Sequence, residues 1–387
     1  MRLIHTSDWH LGRTLHGENL LEHQAAFLGW LLARAVSHRV DAVVVAGDVY
    51  DRAVPSTDAV ALLDATLLAF ARERIPVVIT SGNHDSPIRL GFGAGLSEAA
   101  GIHLRTSVAD IARPVIVADE HGDVGVYGVP YLLPDAVMAE LGAQRSHASV
   151  LSAAAQRIRA DAAGRGLRRT VVAAHAFITG GAVAESERDI RVGGIGDAPA
   201  SVFDGFTYVA LGHLHGQQQL PAGRGTTARY SGSPLAFSFS EAAQAKSVTL
   251  AEIDAAGRVA ITLLPAPVPR PLREVRGKID DLLARADGDL ADLAGAWVKA
   301  VLTDTVRPAC SMERLREKWP HTLVLDFAPE GGLIGSDADL RRLAQTADPV
   351  EICGFFVEFA GGGPPDEAQR GVLRDVVEAA QHAGAGA

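Results

Sequence analysis

Asp41-Ala42-Val43-Val44-Val45-Ala46-Gly47-Asp48 is an unbroken apolar, β-branched run that stops on a glycine and an aspartate. A strand with apolar side chains on both of its sides is covered on both faces, as inside an α/β protein. The glycine lets the backbone turn sharply where the strand ends and presents the aspartate at the sheet edge. Residues 3–6, 76–80, 170–174 and 207–211 are dense in Val, Ile, Leu and Ala and read the same way. Residues 18–38 and 56–74 have helical length and amphipathic patterning. The second opens on Pro55-Ser56-Thr57-Asp58, which is good N-cap chemistry. Alternation of this kind predicts a layered α/β sheet architecture.

After Ser231 the strands come without long helices between them, at residues 247–253 and 259–264. Pro265-Ala266-Pro267-Val268-Pro269-Arg270-Pro271 then breaks the pattern and marks a domain boundary. Beyond it, strands at 272–276, 296–302 and 322–327 alternate with helices near 279–286 and 311–319, a small α+β arrangement. Gly361-Gly362-Gly363-Pro364-Pro365 is a second break, and a final helix near 366–381 carries an apolar stripe of Val372, Leu373, Val376 and Val377.

The chain has 387 residues, 48% hydrophobic and 21% charged, enough for two domains with sizeable cores. No apolar run approaches the roughly 20 residues that cross a bilayer. The opening Met1-Arg2-Leu3-Ile4-His5-Thr6-Ser7-Asp8 holds no cleavable apolar stretch, so a cytoplasmic protein with no membrane association is expected. The two cysteines, Cys310 and Cys353, have no metal-binding spacing, exclude a disulfide framework and read as buried, reduced thiols. The net charge of −10 argues against tight DNA binding by this chain alone and for a partner that shares the work.

Five polar clusters lie at or just beyond the carboxyl ends of the expected strands, where α/β sheets place their ligands. They are Asp8-Trp9-His10, Gly47-Asp48, Gly82-Asn83-His84-Asp85, His175, and Gly212-His213-Leu214-His215. On extended backbone, residues two apart point the same way, so Asp8 with His10, and His213 with His215, are expected to converge. Singly, each cluster has an ordinary explanation: a strand-end aspartate is usually a turn former or cap, and a lone histidine is usually structural. Five strands delivering Asp, His and Asn to one sheet edge are the signature of a metal centre.

In this order, Asp-x-His, Gly-Asp, Gly-Asn-His-Asp, a strand-end His and Gly-His-x-His resemble the motifs of the calcineurin-like metallophosphoesterases. The resemblance implies an α/β fold: a layered β-sandwich core flanked by helices over residues 1–264. A smaller α+β capping domain over 272–360 and a C-terminal helix and tail over 364–387 would follow. It implies two divalent metal ions about 3.5–4 Å apart, manganese in the family's usage. Asp8, His10 and His215 would hold one ion and Asn83, His175 and His213 the other, with Asp48 bridging both. A shared carboxylate holds two dications close while offsetting their repulsion, and nitrogen and oxygen donors without sulfur suit manganese, iron or zinc. His84, not a ligand in the family, would protonate the leaving oxygen or stabilise its charge, with Asp85 fixing its orientation.

The flanks narrow the resemblance. His5-Thr6-Ser7-Asp8-Trp9-His10-Leu11-Gly12-Arg13 and Gly47-Asp48-Val49-Tyr50-Asp51-Arg52-Ala53-Val54-Pro55-Ser56 are similar to stretches of the SbcD family, nuclease subunits of bacterial SbcC–SbcD complexes. So is Tyr230-Ser231-Gly232-Ser233-Pro234-Leu235 through Phe239, Glu241 and Lys246, which ordinary phosphatases lack. Archaeal and eukaryotic relatives carry histidine where this chain has Asp51, and bacterial members commonly have aspartate. That resemblance implies a manganese-dependent exonuclease on double-stranded ends and an endonuclease on hairpins or single strands, serving DNA replication, recombination and repair. The implied partners are DNA and an SbcC-like, SMC-family coiled-coil ATPase, in a heterotetramer containing a homodimer of this chain. No Gly-x-x-x-x-Gly-Lys-Ser/Thr loop is present, so ATP would be handled by the partner. Residues 56–74 and 86–100 are candidates for the homodimer contact, the terminal helix for docking on the ATPase, and Arg13, His16 and Arg89 for contacts to DNA phosphates. Competing readings are a phosphodiesterase or phosphatase for a small or protein-bound phosphate, and a scaffold that kept the fold without the chemistry.

Overall fold

The computed structural model describes residues 1–182, 186–187, 198–329, 348–361 and 363–384. Two compact units divide the chain, Met1–Pro269 and Arg270–Ala387.

The first unit is built on two six-stranded mixed sheets. In spatial order one sheet runs Val259–Pro265, Ser247–Ile253, Arg2–Thr6, Ala42–Ala46, Val77–Thr80, Ile102–Arg105. Its last four strands are parallel, and the first two are antiparallel additions. The other runs Gln218–Leu220, Thr227–Tyr230, Tyr208–Gly212, Arg169–His175, Gly122–Val129, Val115–Asp119, with four parallel strands and one antiparallel strand at each edge.

The uninterrupted apolar run Ala42–Ala46 is explained by what covers it. Ala42 and Val44 join Leu3 and Val78 in a core shared with Val126, Val171, Ala173 and Ala210 of the second sheet. Val43 and Val45 face the other way, into a core with Phe27, Leu31, Leu63 and Phe70 of helices Leu21–Ser37 and Thr57–Arg72. On the far side, Val172, Ala174, Val209 and Leu211 pack with Val150, Ala154 and Ile158 of helix His147–Arg165. The layers are therefore helix, sheet, sheet, helix, the α/β sandwich expected for the core. The structure begins the first helix at Leu21, because Glu18–Asn19 pairs with Thr14–Leu15 in a small hairpin.

The second unit has a three-stranded parallel sheet, Leu272–Gly277, Trp297–Leu302, Thr322–Phe327, with helices Ile279–Ala284 and Ser311–Lys318. Val275, Ile279, Leu282, Val298, Ala300, Leu315 and Trp319 form its core. Helix Pro349–Gly361 packs against the final helix Glu367–Gly384, on which Val372 and Val376 are exposed. Neither cysteine is buried as expected. Cys310 is exposed in a left-handed turn at the start of helix Ser311–Lys318, and Cys353 is half-buried. Among the described residues no helix is long and apolar enough to cross a membrane.

Candidate metal centre

The loops that follow the parallel strands are stitched together by backbone. The amides of Asp8 and His10 donate to the carbonyls of Gly47 and Asp48, at 3.0 Å each, and Leu11 donates to Val49 at 2.9 Å. Two motif glycines permit this closeness. A Cβ on Gly47, where φ is +83°, would lie 2.5 Å from the His175 ring, and one on Gly82 would lie 2.1 Å from Asp48 Oδ1. Convergence of Asp8 with His10 is not achieved by the extended backbone that the spacing suggested. Asp8, His10 and Asp48 have φ of 54°, 46° and 50°, and His213 has 114°. Left-handed conformations at four non-glycine residues carry strain, which tight loop packing sustains and which concentrates at functional sites.

Asp8, His10, Asp48, His175, His213 and His215 are all buried, and Asn83 is partly so. Donor atoms of Asp8, His10 and His215 lie within 4.8 Å of one another, as do those of Asp8, Asp48 and His175 and those of His10, Asp48 and His84. His10 Nε2 and His215 Nε2 are 3.2 Å apart, and Asp48 Oδ2 lies 3.6 Å from both His10 Nε2 and His175 Nε2. Asn83 Oδ1 faces His175 Nε2 at 2.8 Å and His213 Nδ1 at 3.2 Å. Asp48 thus stands between a His10 side and a His175 side.

This donor set fits cations. The Nδ1 of His175 donates to the Ala46 carbonyl at 2.9 Å, so its Nε2 presents a lone pair to an oxygen that is also an acceptor. A positive ion shared by the two removes that conflict. Burial, reinforced by neighbouring imidazoles, pushes His10 and His175 well below the usual histidine range, which keeps them neutral and able to coordinate. Burial also pushes Asp8 up to about 8, against hydrogen bonds from Ser7 Oγ and the His213 amide. A dication nearby acts in the opposite direction and favours the carboxylate.

His84 contributes its amide to Asp48 Oδ1 at 2.8 Å and its ring Nδ1 to the Asp51 carbonyl at 2.7 Å, leaving Nε2 turned towards Asp48 Oδ2 at 4.0 Å. The orienting contact expected from Asp85 is supplied by Asp51. Asp85 instead accepts from the amides of Val49, Tyr50 and Gly82, at 3.1, 2.9 and 2.8 Å, tying the second and third metal loops together. Its carboxyl is pushed up to about 6 by burial, against those hydrogen bonds and a further one from the Asp48 backbone.

Of the three candidate phosphate contacts, Arg13 is nearest the centre. Its guanidinium stacks on Phe237 at 4.9 Å, and Phe237 in turn touches the His10 and His215 rings edge-on. Arg13 Nη1 lies 3.5 Å from Asp51 Oδ1. His16 is exposed beside Phe239, and Arg89 is exposed with its guanidinium on the Ala53 carbonyl. Residues not assigned from the sequence also line the centre. Ser7 bonds Asp8, Phe237 wedges against two imidazoles, and Glu241 and Lys246 lie behind His215. All four fall within stretches that carry the resemblance, Ser7 in residues 5–13 and the other three in residues 230–246, but nothing in the sequence assigned them a role at the centre.

The family model described as calcineurin-like phosphoesterase matches residues 1–217. Among solved structures, the chain is similar to the calcineurin-like phosphoesterase YfkN from Bacillus subtilis. Identity is 12%, coverage is 68% of this chain and 90% of that one, and the TM-score is 0.37. It is also similar to sulfate thiohydrolase SoxB from Thermus thermophilus in complex with glycerol. Identity is again 12%, coverage is 68% of this chain and 56% of that one, and the TM-score is 0.35.

Proposed function

We propose that this chain, which belongs to the calcineurin-like phosphoesterase family, is a two-metal DNA nuclease of the SbcD type. Metal-dependent phosphoester hydrolysis follows from the family and the buried Asp/His centre. The nuclease assignment is the further step. Asp8, His10 and His215 would hold one dication, Asn83, His175 and His213 the other, and Asp48 both. Such ions, manganese in this reading, supply Lewis acidity to an attacking water and to phosphate oxygens.

The chain's own groups do the rest. His84, anchored through Nδ1 on the Asp51 carbonyl, keeps Nε2 towards the centre, where it can hand a proton to the leaving oxygen. Arg13 brings a fixed positive charge to the rim beside Phe237, suited to a flanking phosphate. The observation that carries the reading is convergence. The three stretches resembling SbcD, far apart in sequence, gather at one centre: Arg13 from the first, Asp51 from the second, Glu241 and Lys246 from the third.

The partners belong to the same proposal. Ile88, Phe92 and Leu96, each more than four-fifths exposed, follow closely on the Gly82–Asp85 loop and suit a homodimer contact. Exposed Val372 and Val376 on the final helix suit docking to an SbcC-like ATPase within a heterotetramer. Incubation with manganese and hairpin-ended DNA, in parallel with bis-p-nitrophenyl phosphate, tests the reading. DNA cleavage, increased by the ATPase, is expected. Turnover of the small ester alone would favour a phosphodiesterase, and no turnover of either would favour a scaffold.

A further inference from the structure

His215 is gripped at both ends by one buried ion pair that the mechanism above does not use. Glu241 lies on the single turn Phe239–Glu241 and is fully buried. Its Oε1 is 3.2 Å from His215 Nδ1, and its Oε2 is 2.5 Å from Lys246 Nζ. Lys246, itself buried, reaches back with the same ammonium to the backbone carbonyl of His215 at 3.1 Å, and to Ser233 Oγ and Gln244 Oε1 at 3.0 and 2.8 Å. Ser186 Oγ adds a contact to His215 Nδ1 at 2.7 Å.

A buried ion pair is poor evidence of a stabilising device, because removing two charges from water offsets most of their attraction. What this pair does supply is direction. A carboxylate can only accept, so Nδ1 of His215 must carry the proton, and Nε2 is left as a lone pair. That lone pair is the atom 3.2 Å from His10 Nε2, in the cluster with Asp8.

We infer that Glu241 and Lys246 are positioning residues for the ion held by Asp8, His10 and His215, fixing the His215 ring and backbone so that Nε2 is aimed at that ion. The inference rests on the two-metal reading above. Carboxylates behind metal-binding histidines typically alter metal affinity by roughly 10- to 100-fold. Glu241 and Lys246 are therefore expected to tune one ion and leave the other.

The test is manganese binding to the full chain, by titration calorimetry and by counting bound ions with electron paramagnetic resonance. The variants are Glu241→Gln and the doubly neutral Glu241→Gln/Lys246→Met, each checked for native circular dichroism. The double variant leaves no lone charge buried, so it keeps the test open if Glu241→Gln alone misfolds. Wild type is expected to bind two ions. Each variant is expected to keep one at wild-type affinity and to bind the other roughly 10- to 100-fold more weakly. In a His215→Ala background, adding Glu241→Gln is expected to change affinity less than about twofold, because a residue acting through His215 has nothing left to act on. A general structural role would instead add its own penalty in that background. Two ions in wild type with unchanged affinities in both variants, or an additive penalty on His215→Ala, would overturn the inference alone. No ion in wild type would overturn the two-metal reading and the inference with it.

Discussion

Asp48 faces both halves of the centre through Oδ2 and holds the His84 amide through Oδ1. Asp48→Ala is therefore expected to lose both ions and reduce hydrolysis of bis-p-nitrophenyl phosphate to background, read by metal analysis and turnover. His84 sits beside the ions in this reading rather than on them. His84→Ala should retain two ions and lose roughly 10²- to 10⁴-fold in kcat, the usual worth of a positioned acid. Recovery of that variant empty of metal would show His84 to be a ligand. At this scale much was legible, because Asp, His and Asn at strand ends have few joint uses. The division of labour between Asp51 and Asp85 was not. A backbone carbonyl orients His84, and any residue at position 51 supplies a carbonyl, so the side-chain code carries no trace of that contact.

Among the elements, helix Thr57–Arg72 begins as its sequence suggested, with Ser56 Oγ accepting from the Ala59 amide at 3.3 Å. Ser56→Ala should cost about 1 kcal/mol of stability, measurable as a lower urea midpoint. The segment after Gly82–Asp85 matters more for assembly. With Ile88, Phe92 and Leu96 exposed, Phe92→Asp should convert a dimer to a monomer in sedimentation velocity while sparing turnover of the small ester; an unchanged dimer would move the contact elsewhere. The main strands of both sheets could be read from their apolar runs. Helix His147–Arg165 and strand Gly122–Val129 could not. The helix dilutes Val150, Leu151 and Ile158 with alanines on both its buried and its exposed sides, and the strand carries three glycines, so neither shows a strong apolar period.

Across the whole first unit, His5 bridges the two sheets. Its Nε2 donates to the Leu211 carbonyl at 3.1 Å and its Nδ1 accepts from the Tyr208 hydroxyl at 2.9 Å. Burial, aided by the charge of Arg229, lowers its pKa to about 3, so the folded chain refuses a proton that the unfolded chain accepts below 6.5. The stability this contributes is complete above pH 6.5 and is lost as pH falls towards 3. The loss at pH 5 is about 2 kcal/mol. Urea midpoints at pH 7 and pH 5 should therefore differ less for His5→Gln than for wild type. Manganese at a hundredfold excess over its Kd should add about 2.7 kcal/mol of stability for each site, seen as a higher melting temperature that a chelator reverses. The sequence by itself determined the strands with unbroken apolar runs, the family's motifs and the residue types at the centre, because burial on two faces and metal coordination each demand a narrow set of side chains. Only the tertiary structure decided how those side chains meet. Left-handed turns at Asp8, His10 and Asp48, the Asp85 tie between loops and the ion pair behind His215 are contacts between distant segments, and local patterning cannot encode a distance across the sheet edge.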